Sequence, residues 1–231
     1  GLTMKKIIIA TAVAMTLSAT AHADSTAVLK LKGVLTNNAC TPTLSDGAVV
    51  DFGTKYISSL SATADNQLGY KDISLTINCS AATKVAWSIT DDHADSMKKM
   101  TIDNATFAGD QAWSSTNQYG VGKTAGGVNI GAYSVGMNSN VTVDGNVKAL
   151  GYSAIADDPM WLLANTGSQL VTHSDGSIQY SALNSSDRTL VPFMNAVFPL
   201  RVALAVQKTD TLAITDDTPI DGQATITLHY L

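Results

Sequence analysis

Ile73-Ser74-Leu75-Thr76-Ile77-Asn78-Cys79, followed six residues later by Val85-Ala86-Trp87-Ser88-Ile89, is the stretch that decides the fold. Apolar side chains occupy every second position, and a period of two puts them on one face of an extended chain. A half-buried β-strand has this signature; a helix would need a period near 3.6. Working outward, the same alternation runs through Ala27, Leu29 and Leu31, through Phe198, Leu200, Val202, Leu204 and Val206, and through Ala224, Ile226, Leu228 and Tyr230. Between these runs lie turn signals: Ser45-Asp46-Gly47, Asp144-Gly145-Asn146, Asp175-Gly176 and Asp221-Gly222. Many short strands punctuated in this way predict an all-β, antiparallel sandwich.

Composition agrees. All 19 acidic residues are Asp, with no Glu, while Thr, Ser, Gly, Asn and Val are abundant, so few and short helices are expected. The chain opens with Met4, Lys5 and Lys6, an apolar run over residues 7–17, and Ala21-His22-Ala23. That order reads as a secretory signal with a small-x-small cleavage site, the apolar run being shorter than the roughly 20 residues of a membrane span. The alternative is a genuine N-terminal helix of the folded domain. With the signal removed, the chain starts at Asp24 and is expected to be soluble or assembled. Removal of Lys5 and Lys6 leaves 12 basic against 19 acidic side chains. Such a balance argues against nucleic acid as a partner, because phosphate affinity needs a basic surface.

Cys40 and Cys79 are the two cysteines. In an exported chain a lone pair is read as a disulfide and not as half of a zinc site, since the compartment is oxidising and zinc wants four ligands. Closing a loop of this length restricts the unfolded chain by roughly 4 kcal/mol in the chain-entropy account.

No cofactor, metal or catalytic motif stands out. Gly120-Val121-Gly122-Lys123-Thr124 lacks the upstream glycine of a phosphate-binding loop, Asn117 standing in its place, and reads as a mobile polar loop. Asp91, Asp92, His93 and Asp95 lack the spacing of a calcium loop and read as a solvated turn. His93, His173 and His229 have no nucleophile elbow to serve, and His229 is expected to face solvent. A secreted hydrolase is therefore the weaker functional alternative. Residues 91–179 are harder to parse, with a short helical turn near 94–99 and an apolar patch at Met160-Trp161-Leu162-Leu163. One domain with an elaborated centre is expected; the alternative is a second small module inserted there.

The two ends of the exported chain carry a more specific pattern. The first reads Ala27-Val28-Leu29-Lys30-Leu31-Lys32-Gly33-Val34-Leu35, with Cys40 seven residues after Gly33; the last reads Ala224-Thr225-Ile226-Thr227-Leu228-His229-Tyr230-Leu231. This resembles the subunits of chaperone-usher pili, in which an alternating strand leads into a glycine and then a cysteine, and the C-terminal strand carries a penultimate aromatic. Cys40-Thr41-Pro42-Thr43-Leu44-Ser45-Asp46-Gly47, with Val49, Val50, Asp51, Phe52 and Gly53, resembles a pilin-like branch described only as a domain of unknown function. The resemblance spans residues 24–90 and 193–231, roughly half of the exported chain.

The resemblance implies an immunoglobulin-like sandwich that lacks one strand and is completed by donor-strand complementation, a mode of strand addition for which pilins are the standing example. It divides the chain into a leader and signal (residues 1–23), a donor arm (24–36) and a pilin-like domain (37–231). Ala27, Leu29, Leu31, Gly33 and Leu35 would be the donor face. Ala224, Ile226, Leu228, Tyr230 and Leu231 would be the strand held first by a periplasmic chaperone and later flanking the acceptor groove. Expected partners are that chaperone, an outer-membrane usher and neighbouring subunits, in a surface fimbrium that supports adhesion. Two alternatives stay open: the arm as the domain's own edge strand, and the last strand as a satisfied core strand. A tip adhesin binding a host glycan or receptor, with Trp87, Trp113 and Trp161 as candidate aromatics, is the nearest rival function.

Overall fold

The computed structural model describes residues 26–35 and 39–231. The expected leader and signal (residues 1–23), the expected start at Asp24, and residues 36–38 of the arm and domain lie outside the described residues. The chain divides into two compact units, residues 1–36 and 37–231. In the first, residues 26–35 carry no helix or strand, so the alternation of Ala27, Leu29 and Leu31 does not form a strand there.

Eleven strands build the second unit, and they all pair antiparallel. They are β1 (Cys40–Leu44), β2 (Asn66–Thr83), β3 (Val85–Asp91), β4 (Tyr119–Gly120), β5 (Gly131–Met137) and β6 (Asn140–Val143). They continue with β7 (Asn146–Ala154), β8 (Leu162–Leu163), β9 (Ile178–Leu183), β10 (Phe193–Val206) and β11 (Ala224–Tyr230). One α-helical turn, α1 (Thr209–Leu212), and five short 3-10 turns complete the described elements. The main path runs β1-β2-β10-β6-β7-β9-β3-β11, with β5 also on β10, β4 on β5 and β8 on β7. The path curls so that its halves face each other: Trp87 of β3 is fully buried, with its ring 5.0 Å from Tyr180 of β9 and 5.7 Å from Phe198 of β10. Leu75, Ile77, Val85, Leu150 and Leu200 fill the same core, as alternation in β2, β3 and β10 leads one to expect. The protein is thus an all-β sandwich of immunoglobulin-like type.

Residues 91–179 are woven into this sandwich and do not form a separate module, since β5 pairs with β10, and β7 joins β6 to β9. Part of the segment covers the outer face of β10. Met100, Ile102, Ala105 and Ala112 pack there on Ala203, Ala205, Ala132 and Val171. Arg201, on that same outer face, is nearly buried and fully engaged. Its guanidinium pairs with both Asp72 oxygens at 2.7 and 2.9 Å and donates to the Thr106 carbonyl at 3.1 Å. It sits 3.7 Å from the Tyr70 ring centre and 4.7 Å from that of Phe107.

Candidate functional site

Both ends of the strand path are edges, and they belong to the first and last strands of the sandwich, β1 and β11. Cys40 and Cys79 face each other across β1 and β2 and form a disulfide with Cα atoms 4.0 Å apart. The backbone bonds Ser80 N to Ala39 O and Ser45 N to Ser74 O make 39, 41, 43 and 45 the residues that bond toward β2. Cys40, Pro42 and Leu44 therefore turn their backbone groups the other way, and Pro42 has no N–H to offer.

β11 behaves likewise. Leu231 N donates to Lys84 O, and Asp92 N donates to Gln223 O, so odd-numbered residues of β11 bond toward β3. By the alternation of an antiparallel ladder, the N–H and C=O groups of Ala224, Ile226, Leu228 and Tyr230 point to the open side. No strand pairs with β11 on that side among the described residues. The same residues turn their side chains inward: Ala224, Ile226 and Leu228 pack on the main core, while Thr225 and Thr227 are exposed. The outward edge thus combines free ladder groups with an apolar inner face.

β1 and β11 converge at one end, where Cys40 N donates to the Tyr230 hydroxyl at 2.9 Å. At the other end they part around a groove of about 440 Å³, whose walls include Leu44 of β1 and Ala224 and Ile226 of β11. Its floor is the core itself: Ile73, Tyr133, Val135, Leu200 and Val202. Val50, Phe52 and Ile220 are shared with a second depression of about 500 Å³, which extends toward Lys55, Leu60 and Leu212. Tyr133 stacks on Tyr119 at 4.9 Å, and burial, with the nearby charges of Asp91 and Asp92, pushes its phenol well above the ordinary range. A neutral ring is what an apolar floor requires.

The β11 wall is held in place from the turn after β3. The Asp91 carboxylate, buried, accepts from His93 N at 2.9 Å and Gly120 N at 2.8 Å. Desolvation raises its pKa, partly offset by those two donors. Asp92 accepts from Gln223 Nε2 at 2.8 Å and from Thr225 Oγ1 at 2.9 Å. His93 Nδ1 lies 2.7 Å from the Asp221 carbonyl oxygen, the largest cause of its raised pKa. This turn is therefore a clamp on the entry to β11 and not a merely solvated turn. Gly120 and Val121 correct the expectation of a mobile loop in the same way: both are buried, and Gly120 lies in β4. A Cβ on Gly120 would collide with the His93 carbonyl oxygen and Ser96 Oγ.

The residues singled out from sequence fall into three groups. Cys40 and Cys79 are bonded. Ala224, Ile226 and Leu228 lie on the inner face of β11, but Tyr230 is 55% exposed and serves through its hydroxyl, while Leu231 is 46% exposed. His229 is half-buried instead of solvent-facing, with Nε2 2.8 Å from Ser88 Oγ, and burial lowers its pKa. Ala27, Leu29, Leu31, Gly33 and Leu35 belong to the other compact unit, where Leu29, Leu31 and Leu35 are 94, 95 and 103% exposed. Of the tryptophans, Trp87 is core, Trp161 is half-buried and Trp113 is exposed. Val50, Phe52 and Tyr133 of the groove were not foreseen. Among the described residues no three His, Cys, Asp or Glu side chains gather as a metal site.

Fold and groove together define a class: an immunoglobulin-like β-sandwich with an open seam between its first and last strands. The chain belongs to the family described as "Protein of unknown function (DUF1120)", which matches residues 29–134, from the exposed leucines of the arm into β5. It is 30% identical to "Uncharacterized protein YhcF" of Escherichia coli (strain K12), over 91% of this chain and 93% of that protein. It is 28% identical to "Protein GltF" of the same organism, over 93% of this chain and 92% of that protein.

Proposed function

We propose that this chain is a structural subunit of a surface pilus assembled by the chaperone-usher route, in which the arm of one subunit fills the groove of the next. The observation that carries the reading is the free outer edge of β11 above an apolar groove. A bare strand edge is a template for pairing, and the apolar groove beside it suits the side chains of an added strand. The arm has the complementary form: Leu29, Leu31 and Leu35 share one face of an extended chain and are almost fully exposed. Burying three leucines contributes about 5 to 9 kcal/mol as an upper estimate. Gly33 would cross a shallow part of the groove. On this reading the chain is not an enzyme, it travels through the periplasm to the cell surface, and a periplasmic chaperone occupies the groove until the usher exchanges it for an arm.

The test is co-expression with a periplasmic pilus chaperone encoded near the gene, followed by purification. The expected product is a one-to-one complex that is lost when residues 224–231 are removed. A second preparation lacking residues 24–32 should still accept a neighbour's arm yet fail to extend fibres beyond itself. A wild-type chain that refolds alone to a stable monomer, gaining nothing from an added strand, would overturn the proposal.

A further inference from the structure

A second concavity lies elsewhere on the sandwich and shares no lining residue with the groove. It consists of two adjoining pockets of about 250 and 230 Å³ that meet at Ser168, Val171 and His173. Tyr152 and Tyr180 line the first, and Trp113 lines the second. Among the described residues, no Asp, Glu, Lys or Arg lines either pocket. We infer that this cleft is a binding site for a neutral saccharide, with the Trp113 indole as its platform and His173 at its centre.

Three features point to that ligand class. Trp113 is 65% exposed, while Trp87 and most of the large aromatic residues are spent on the core. An indole face accepts the apolar C–H face of a pyranose ring, and the aromatic residues at a cleft give shape and area at small entropic cost. The polar groups around it are hydroxyls, amides and an imidazole, which suit sugar hydroxyls as both donors and acceptors. Gln169 accepts from Asn165 N through Oε1 at 3.2 Å, and among the described residues neither its amide nitrogen nor the His173 ring makes a hydrogen bond. Apart from the His173 imidazole, the described lining holds no group that could neutralise a carboxylate or sulfate on the ligand.

The walls are also fixed in advance. Asn117, buried, donates from its amide to the Val171 and Thr172 carbonyls at 3.2 and 3.1 Å, joining the Trp113 side of the cleft to the His173 side. Ser174 N donates to Thr116 O at 2.8 Å, and His173 N donates to the Tyr180 hydroxyl at 2.9 Å. Thr172 Oγ1 is held by the Tyr119 hydroxyl at 2.6 Å. A site whose loops are already ordered loses less entropy on binding, which matters for a ligand with weak individual contacts. The inference does not depend on strand exchange.

Saturation-transfer NMR and tryptophan fluorescence on the full chain test it, with methyl glycosides of glucose, galactose, mannose and N-acetylglucosamine as probes and sialyllactose as the charged control. At least one neutral glycoside should bind at about 10 mM or below, at the weak end of the affinity scale. Trp113→Ala and His173→Ala should each weaken that binding at least tenfold, with the thermal midpoint nearly unchanged for Trp113→Ala because the ring is exposed. No transfer to any neutral glycoside, preference for the sialylated control, or binding that survives both substitutions would overturn the assignment.

Discussion

If the arm fills the groove as proposed, replacing Leu31 by alanine should weaken that complementation by about 50-fold. Leu31 is 95% exposed in its own unit, so virtually its whole side chain is available for transfer. Leucine to alanine removes three carbons, at about 0.8 kcal/mol each, or about 2.4 kcal/mol in all. At 1.4 kcal/mol per tenfold, that is about 50-fold in affinity. A cavity left in the groove would add to the loss, and relaxation of the flanking strands would reduce it. The assay is competition of labelled peptides covering residues 26–36 for the domain lacking its arm. Lys30→Ala is the control, because residue 30 points to the opposite face of an extended arm and should change affinity less than threefold. Equal losses at positions 30 and 31, or no loss at either, would refute the alternation argument.

Reducing the Cys40–Cys79 disulfide, or replacing both cysteines, should lower stability by about 2 to 5 kcal/mol, as read by denaturant titration. Gly120→Ala should destabilise the domain by more than the usual 1 kcal/mol of a point change and loosen the entry to β11, since the added carbon meets the His93 carbonyl, measurable as a shift in thermal midpoint. His229 has a folded pKa below its ordinary 6.5 because burial disfavours the cation. Its contribution is thus fully present above 6.5 and is lost as pH falls toward the folded value. His93 has the opposite sign, its raised pKa favouring the folded state at lower pH. Comparing wild type with His229→Gln between pH 7.5 and about 5 isolates the first effect: the variant should lose less stability over that range.

Alternation revealed the strands that have one face on the core and the other on water. Leu75 and Ile77 in β2, and Ile226 and Leu228 in β11, follow it. It failed where that contrast is missing. The first half of β2 is mostly exposed, and its Leu68 and Tyr70 fall in the phase opposite to Ile73, Leu75 and Ile77, so the strand is far longer than its readable part. β5 is covered on both faces, by the main core and by the Met100–Ile102 cover, and its Gly131-Ala132-Tyr133-Ser134 run reads as irregular. Long-range polar contacts were beyond reach for another reason: nothing near Asp91 announces that its carboxylate will hold Gly120, 29 residues away. Of the two borders of the groove, β11 was legible as a patterned strand, whereas β1 (Cys40–Leu44) was not read from alternation. The groove residues from unpatterned segments, Val50 and Phe52, were not legible either, because burial there follows from the path of a connection and not from periodicity.

Residue-resolved amide exchange along β11 tests the central claim most directly. In the domain without an arm, the amides of Thr225, Thr227 and His229 are bonded to β3, and that of Leu231 to Lys84 just before it, so all should exchange slowly, while those of Ile226 and Leu228 face the open seam and should exchange fast. Adding the arm peptide should slow Ile226 and Leu228 to the level of their neighbours, with the largest change at the wide end of the groove beside Leu44. Uniform protection before the peptide is added, or an alternation that persists unchanged in its presence, would contradict strand insertion beside β11.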